Sequence, residues 1–276
     1  MVKRTDNGMD LQAFLKKEGE LPLDQIVQNG GFCGILRKIV CVGDSLSSGE
    51  MEGKMNGERI YHDKFEYSWG QFLARDAGCT VLNCSKGGMT SKAYIENFAD
   101  ENGFWGEEYC AQAYIIALGV NDMARVIDGE MEYGTLADVH VNEPEKNPHT
   151  FIGSYAAIIS RYQKMVPKAK FFLFTMPSHH ADDPLGRHYD MHQKTMYELA
   201  AMFENCYVLD FRKYAPDFNA EFKKTFYLAG HMNAMGYRLV ALMVESYIDY
   251  IIRHNPDDFR QIAFVGTPYH NEDEKW

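Results

Sequence analysis

Of 276 residues, 46% are hydrophobic and 24% charged, and 28 Lys+Arg against 39 Asp+Glu leave a formal net charge of −11. That length allows one or two domains with a sizeable core, and that charge argues against nucleic acid or an anionic membrane as main partner, since both demand a basic face. Six cysteines are too few for a disulfide scaffold, no apolar run reaches the ~18 residues of a membrane span, and no apolar stretch follows Lys3-Arg4 as a secretory leader requires, so a soluble, reduced, cytoplasmic protein is expected.

The first residues read as a helical extension, 1–35. Leu11, Phe14 and Leu15 fall at helical spacing, and LPLDQIVQNGG reads as a second short helix stopped by its glycine pair. The run Lys38–Gly43, rich in β-branched residues and ending in small ones, reads as a buried parallel strand. A helix around Ser68–Ala77 leads to a strand over Thr80–Cys84. A helical stretch after Thr90 leads to Ala113–Leu118. A helix near Phe151–Met165 leads to Lys170–Thr175, another near His188–Phe203 leads to Tyr207–Asp210, and a last long helix spans Asn233–Arg253. Five apolar strands separated by helices predict an α/β domain, a parallel sheet covered on both faces as a three-layer α/β/α sandwich. It spans 36–276, with a core of about 38–253. Two polar insertions, 49–66 and 128–149, follow strand ends, where doubly wound sheets bind ligands. Gln261–Val265 reads as an edge strand.

Four short motifs fall at strand ends or before the last helix: Gly43-Asp44-Ser45, Asn83 to Thr90 with Gly87-Gly88, Gly119-Val120-Asn121-Asp122, and Gly230-His231-Met232-Asn233. A tripeptide such as Gly-Asp-Ser is weak evidence alone. Four blocks in order, each with its predicted context, are much stronger. Together they resemble the SGNH hydrolases, the GDSL esterase and lipase superfamily, over roughly Lys38 to Arg253.

The resemblance implies a flavodoxin-like sheet and hydrolysis of a carboxylic ester with no cofactor. Ser45 would be the nucleophile and His231 its base, because a serine hydroxyl is weak at neutral pH without one. The Ser45 and Gly88 backbone N–H groups and the Asn121 amide would hold the oxyanion. Gly87 is a rival donor to Gly88. Asp44 and Asp122 read as loop-bonding carboxyls rather than reacting groups. The family often deacetylates sugars, so an acylated carbohydrate is the expected small-molecule partner, with no nucleic acid and no membrane.

One position departs from the family. The acid usually found three residues before the histidine is Leu228 here. Without an orienting acceptor the imidazole loses its correct tautomer, which costs on the order of 10⁴ in kcat in a serine-protease setting. Three outcomes stand open: a backbone carbonyl near Leu228 takes the place of the acid, giving a Ser–His dyad; a carboxylate from another loop does, with Asp182 and Asp183 as candidates and Asp217 or Glu221 as further ones; or nothing does. The last would leave a weak enzyme or a ligand-binding protein on the same fold.

Other site chemistries fit less well. His188 and His192 share a helix face near His179, His180, Asp182 and Asp183, but Tyr189 stands where a zinc-type HExxH motif needs glutamate, so no metal is expected and the stretch reads as a solvated face shaping the pocket. Glycine-rich nucleotide-binding strings are absent. Tyr61, Phe65, Trp105 and Tyr133 are candidates for an aromatic rim around a sugar, though packing accounts for each singly.

Overall fold

The computed structural model describes residues 4–5, 8–9, 12–178 and 186–276. Its centre is a strand built as the composition dictates: β1 (Lys38–Gly43) carries Ile39, Val40, Cys41 and Val42 with essentially no exposure. Four more strands join it, all parallel: β4 (Thr80–Ser85), β5 (Ala113–Ala117), β6 (Lys170–Phe174) and β7 (Cys206–Leu209). Their order is β4-β1-β5-β6-β7, with Val40 opposite Leu82 on one side and Tyr114 on the other. Among these five strands the first therefore lies between the second and the third. The order reverses at that point, and a crevice opens between the carboxyl ends of β1 and β5.

The right-handed rule for parallel crossovers puts the helix after β1 and the helix after β7 on one face, and the rest on the other. Accordingly α2 (Trp69–Ala77) packs on α7 (Ala234–His254). The opposite layer holds α4 (Phe151–Met165), buried along most of its length, and α5 (Gly186–Met202). Ser68, Thr150 and Asn233 cap α2, α4 and α7 with side-chain acceptors, each satisfying a backbone donor at the helix start. Residues 20–33 lie against α7: Arg253 pairs with Glu20 and Asp249, and Asp249 accepts from the Phe32 amide at 2.7 Å. All six cysteines are free thiols. Among the described residues no helix is long and apolar enough to cross a membrane.

Two expectations change, and a third gains its structure. Residues 262–264 form a 3₁₀ turn rather than an edge strand; Gln112 Nε2 donates to Ile262 O at 2.9 Å, which holds the turn at the amino end of β5 instead of alongside an edge. The segment before Gly30-Gly31 makes turns, and the short helix follows at Gly31–Ile35 instead. Insertion 49–66 is a two-stranded hairpin, β2 (Glu50–Met55) and β3 (Glu58–Asp63). Its Asn56-Gly57 turn has positive φ at both residues, as a two-residue hairpin connection requires.

Candidate active site

At the end of β1 the chain turns through Asp44 into the short helix α1 (Ser45–Ser48). Asp44 Oδ1 accepts from the Leu46 amide at 3.0 Å, capping the helix that Ser45 begins. β4 ends beside it, where the Lys86 amide donates to Gly43 O at 3.3 Å. The following turn needs glycine at position 88, whose φ is +73°. From the end of β5, α3 (Val120–Ile127) carries Asn121 in its first turn. Asn121 Nδ2 donates to Met89 O at 3.1 Å and lies 3.4 Å from Asp44 Oδ2. One amide thus touches the neighbour of Gly88 and the neighbour of Ser45, so three strand ends converge at the switch point. Asp122 ties the same loops together, its Oδ1 accepting from the Ser91 amide at 2.8 Å and hydroxyl at 2.6 Å.

These two aspartates are dry. An apolar cavity of ≈ 50 Å³, walled by Leu46, Trp69, Phe174, Phe211 and Met232, adjoins Asp44. Burial raises the Asp44 carboxyl to about 7, against the pull of the Leu46 amide. Burial likewise lifts Asp122 to about 6, against its bonds from Ser91.

His231 reaches the crevice from a different direction. It opens β9 (His231–Met232), which pairs with β8 (Tyr227–Leu228) between α6 (Ala220–Phe226) and α7. This small ribbon packs against α1 and against hairpin strand β2. Side chains two apart on a strand share a face, as do directly opposed ones; Glu50, Glu52, Tyr61 and Asp63 therefore line one face of the hairpin. That face meets the imidazole. Glu50 Oε1 lies 3.1 Å from Nε2, Glu52 Oε2 lies 3.6 Å from Nδ1, and the Tyr61 ring stands edge-on at 5.8 Å. Tyr237, fully buried on α7, donates to Glu50 O at 2.6 Å and stands 3.4 Å from Ser45 O. Burial raises the Glu50 carboxyl; His231 lowers it and the neighbouring acids Asp63 and Glu52 raise it further.

The ribbon carrying His231 thus packs on the helix that Ser45 begins, and among the described residues the partner of Nε2 is Glu50. Leu228 sits across from His231 in the ribbon and is 52% exposed. Asp217 and Glu221 are exposed and make no recorded contact with His231. Asp182 and Asp183, with His179 and His180, lie outside the described residues. His192 departs from the solvated face expected for it: it is fully buried, donates from Nε2 to Leu118 O at 3.1 Å and packs on Phe151, and burial lowers its pKa to about 4. Of the four rim aromatics, Tyr61 alone borders His231; Trp105 packs on Tyr162, and Tyr133 bonds Thr195. The glutamates around His231 escape a motif search because they lie on an insertion. Their i, i+2 spacing before an Asn-Gly turn is the signal that would have placed them together on a hairpin.

The sequence matches the family model described as GDSL-like Lipase/Acylhydrolase over residues 41–239. Among curated proteins none matches at a significant level. Solved structures of similar fold include a Lactobacillus plantarum protein at 17% identity, covering 78% of this chain and 97% of its own with a TM-score of 0.57. The acetyl xylan esterase AlAXEase is similar at 19% identity, 76% and 99% coverage and a TM-score of 0.50. A family two carbohydrate esterase from Clostridium thermocellum, in complex with cellohexaose, is 16% identical with a TM-score of 0.53; the match covers 78% of this chain and 64% of that one.

Proposed function

Because the chain belongs to the GDSL-like lipase/acylhydrolase family, a family of carboxylic ester hydrolases, we propose that it cleaves an ester through an acyl-serine intermediate at Ser45. The observation that carries this reading is the convergence of Ser45, Gly88 and Asn121 at the sheet's switch point, with the His231 ribbon packed on the helix that Ser45 begins.

In this mechanism His231 takes the proton of Ser45 Oγ as that oxygen attacks the acyl carbon. The oxyanion then forms against the Ser45 and Gly88 N–H groups and Asn121 Nδ2, which turns the hydrogen facing Asp44 Oδ2 at 3.4 Å to the incoming oxygen. The imidazolium returns its proton to the departing alkoxide. Water then attacks the acyl-enzyme by the same relay and frees the acid. Tyr61, 49% exposed beside His231, offers an aromatic edge to the alcohol part. An O-acetylated sugar is the substrate class we favour, in keeping with the carbohydrate esterases of similar fold.

Purified protein should hydrolyse p-nitrophenyl acetate and release acetate from an acetylated oligosaccharide. Ser45→Ala should lower turnover by a factor on the order of 10⁴–10⁶. One observation favours a second reading, a catalytically quiet ligand-binding protein: the Glu50 carboxylate stands at Nε2, where Ser45 Oγ must come. Equal rates for wild type and Ser45→Ala would establish that reading and end the first.

A further inference from the structure

We propose that Glu52, on the hairpin that follows the nucleophile turn, is the positioning residue for His231, taking over the part of the acid that Leu228 cannot supply. The inference rests on the ester-hydrolase reading above for its catalytic consequence, but not for its geometry.

The need is visible at the imidazole. Nδ1 of His231 is buried and has no hydrogen-bond partner at normal distance. A buried ring N–H without an acceptor is costly, and the group facing it is Glu52 Oε2 at 3.6 Å. Catalytic hydrogen bonds are often this long before substrate binds and tighten afterwards.

Glu52 is built to stay there. Its side chain is 4% exposed. Oε2 also accepts from the Gly230 amide at 2.8 Å, and Oε1 lies 3.3 Å from Arg59 Nε. A side chain at position 230 would put its Cβ 2.5 Å from that same Oε2. The residue before the histidine must therefore be glycine for the carboxylate to reach the ring. The amide of residue 230 and the imidazole of residue 231 then share one oxygen, which fixes the ring to its own backbone.

Glu50 competes for the role, and its position argues against it. It follows Ser45–Ser48 after the single residue Gly49, Tyr237 holds its carbonyl beside that of Ser45, and its Oε2 would lie 2.1 Å from a Cβ on Gly87. Glu50 therefore stands on the nucleophile and oxyanion side of the ring, the side Nε2 must present to Ser45. Nδ1 faces the other way, to Glu52. An acceptor there holds the proton on Nδ1 and leaves the Nε2 lone pair for the serine hydroxyl, the arrangement a triad acid enforces.

The first test removes the competing acceptor. In Glu50→Ala, whose Nε2 no longer faces a carboxylate, long-range ¹H–¹⁵N correlation should show neutral His231 as the Nδ1–H tautomer with a downfield Nδ1 proton. The Nε2–H tautomer in that variant would overturn the proposal, whether or not the protein turns out to be an esterase. The second is Glu52→Gln, which keeps the volume and an acceptor for the Gly230 amide. It should lose the downfield proton and lower kcat by about 10²- to 10⁴-fold with KM within about threefold, while Glu52→Asp recovers part of the loss. An unchanged proton resonance and an unchanged kcat in folded Glu52→Gln would assign the acceptor elsewhere and reject Glu52. Failure of Ser45→Ala to alter hydrolysis is a separate result: it rejects the esterase reading and leaves the tautomer measurement standing.

Discussion

At the edge of the sheet, Asp44 and Asp122 are sealed from solvent and direct their oxygens at the backbone amides of Leu46 and Ser91. On the hairpin a few ångströms away, Glu50 and Glu52 aim theirs at an imidazole. The sheet half is a scaffold. Its acids lock three strand-end loops so that a serine, a glycine and an asparagine stand in fixed relation. The hairpin half presents two carboxylates to a single imidazole. The contrast teaches that geometry and proton management are built by separate parts of the chain, so a family can keep one while rebuilding the other.

The steepest way to break this division is at Asn121. If the sheet half supplies the preformed oxyanion donors, Asn121→Ala should cost about 10²- to 10³-fold in kcat, with little change in KM and no change in the His231 tautomer. A loss below about tenfold would mean that Asn121 serves only to bond Met89, and the scaffold would be no more than a scaffold.

The two dry aspartates sharpen the contrast through pH. Burial raises the Asp122 carboxyl to about 6 from an unfolded value of 3.8. Between those pH values the unfolded chain releases a proton that the folded one keeps, so this group makes stability fall as pH rises from about 4 to about 6, and flat above. Asp122→Asn removes that slope and retains an acceptor for Ser91. Relative to wild type, the variant should gain on the order of 2–3 kcal/mol between pH 4 and pH 7, read as an unfolding midpoint whose difference from wild type widens over that window. A difference independent of pH would show Asp122 to be solvated and the sheet half less dry than described.

Legibility divides along the same line. Strand ends are local features: β1 reads as a buried strand because Ile39 to Val42 are apolar, and the turn reads as a turn because Gly43, Asp44 and Ser45 are small or polar. Ser45, Gly88 and Asn121 could be found from such runs and their order. The hairpin itself was legible in part, since Asn56-Gly57 between alternating residues is a strong turn signal, yet 49–66 reads by composition as a polar insertion. What no local pattern encodes is where the hairpin folds. The bond from Gly230 to Glu52 spans 178 residues and exists because β2 lies across the ribbon that carries His231. A search confined to positions near the histidine meets Leu228 and stops. The burial of His192 is hidden in the sequence for a related reason: helix periodicity gives a residue's face but not which layer covers it.

The smallest effect tests whether Glu50 obstructs or participates. Its carboxylate holds Nε2 at 3.1 Å and is 15% exposed, with the imidazole 19% exposed. At those exposures the pair is only partly open to water and is worth on the order of 1 kcal/mol, the upper end for a surface ion pair, so substrate can displace it at modest cost. Glu50→Ala frees Nε2 for Ser45, and kcat/KM for a small neutral ester should rise by about two- to fivefold. Gly87→Ala should push in the same direction, because its Cβ would occupy the place of Glu50 Oε2, though its nearness to the Gly88 turn makes Glu50→Ala the cleaner measurement. A fall of tenfold or more in Glu50→Ala, with the protein folded, would overturn the obstruction. The carboxylate would then be handling a proton or a substrate hydroxyl on the nucleophile side, and the hairpin would supply chemistry on both faces of the ring rather than orientation on one.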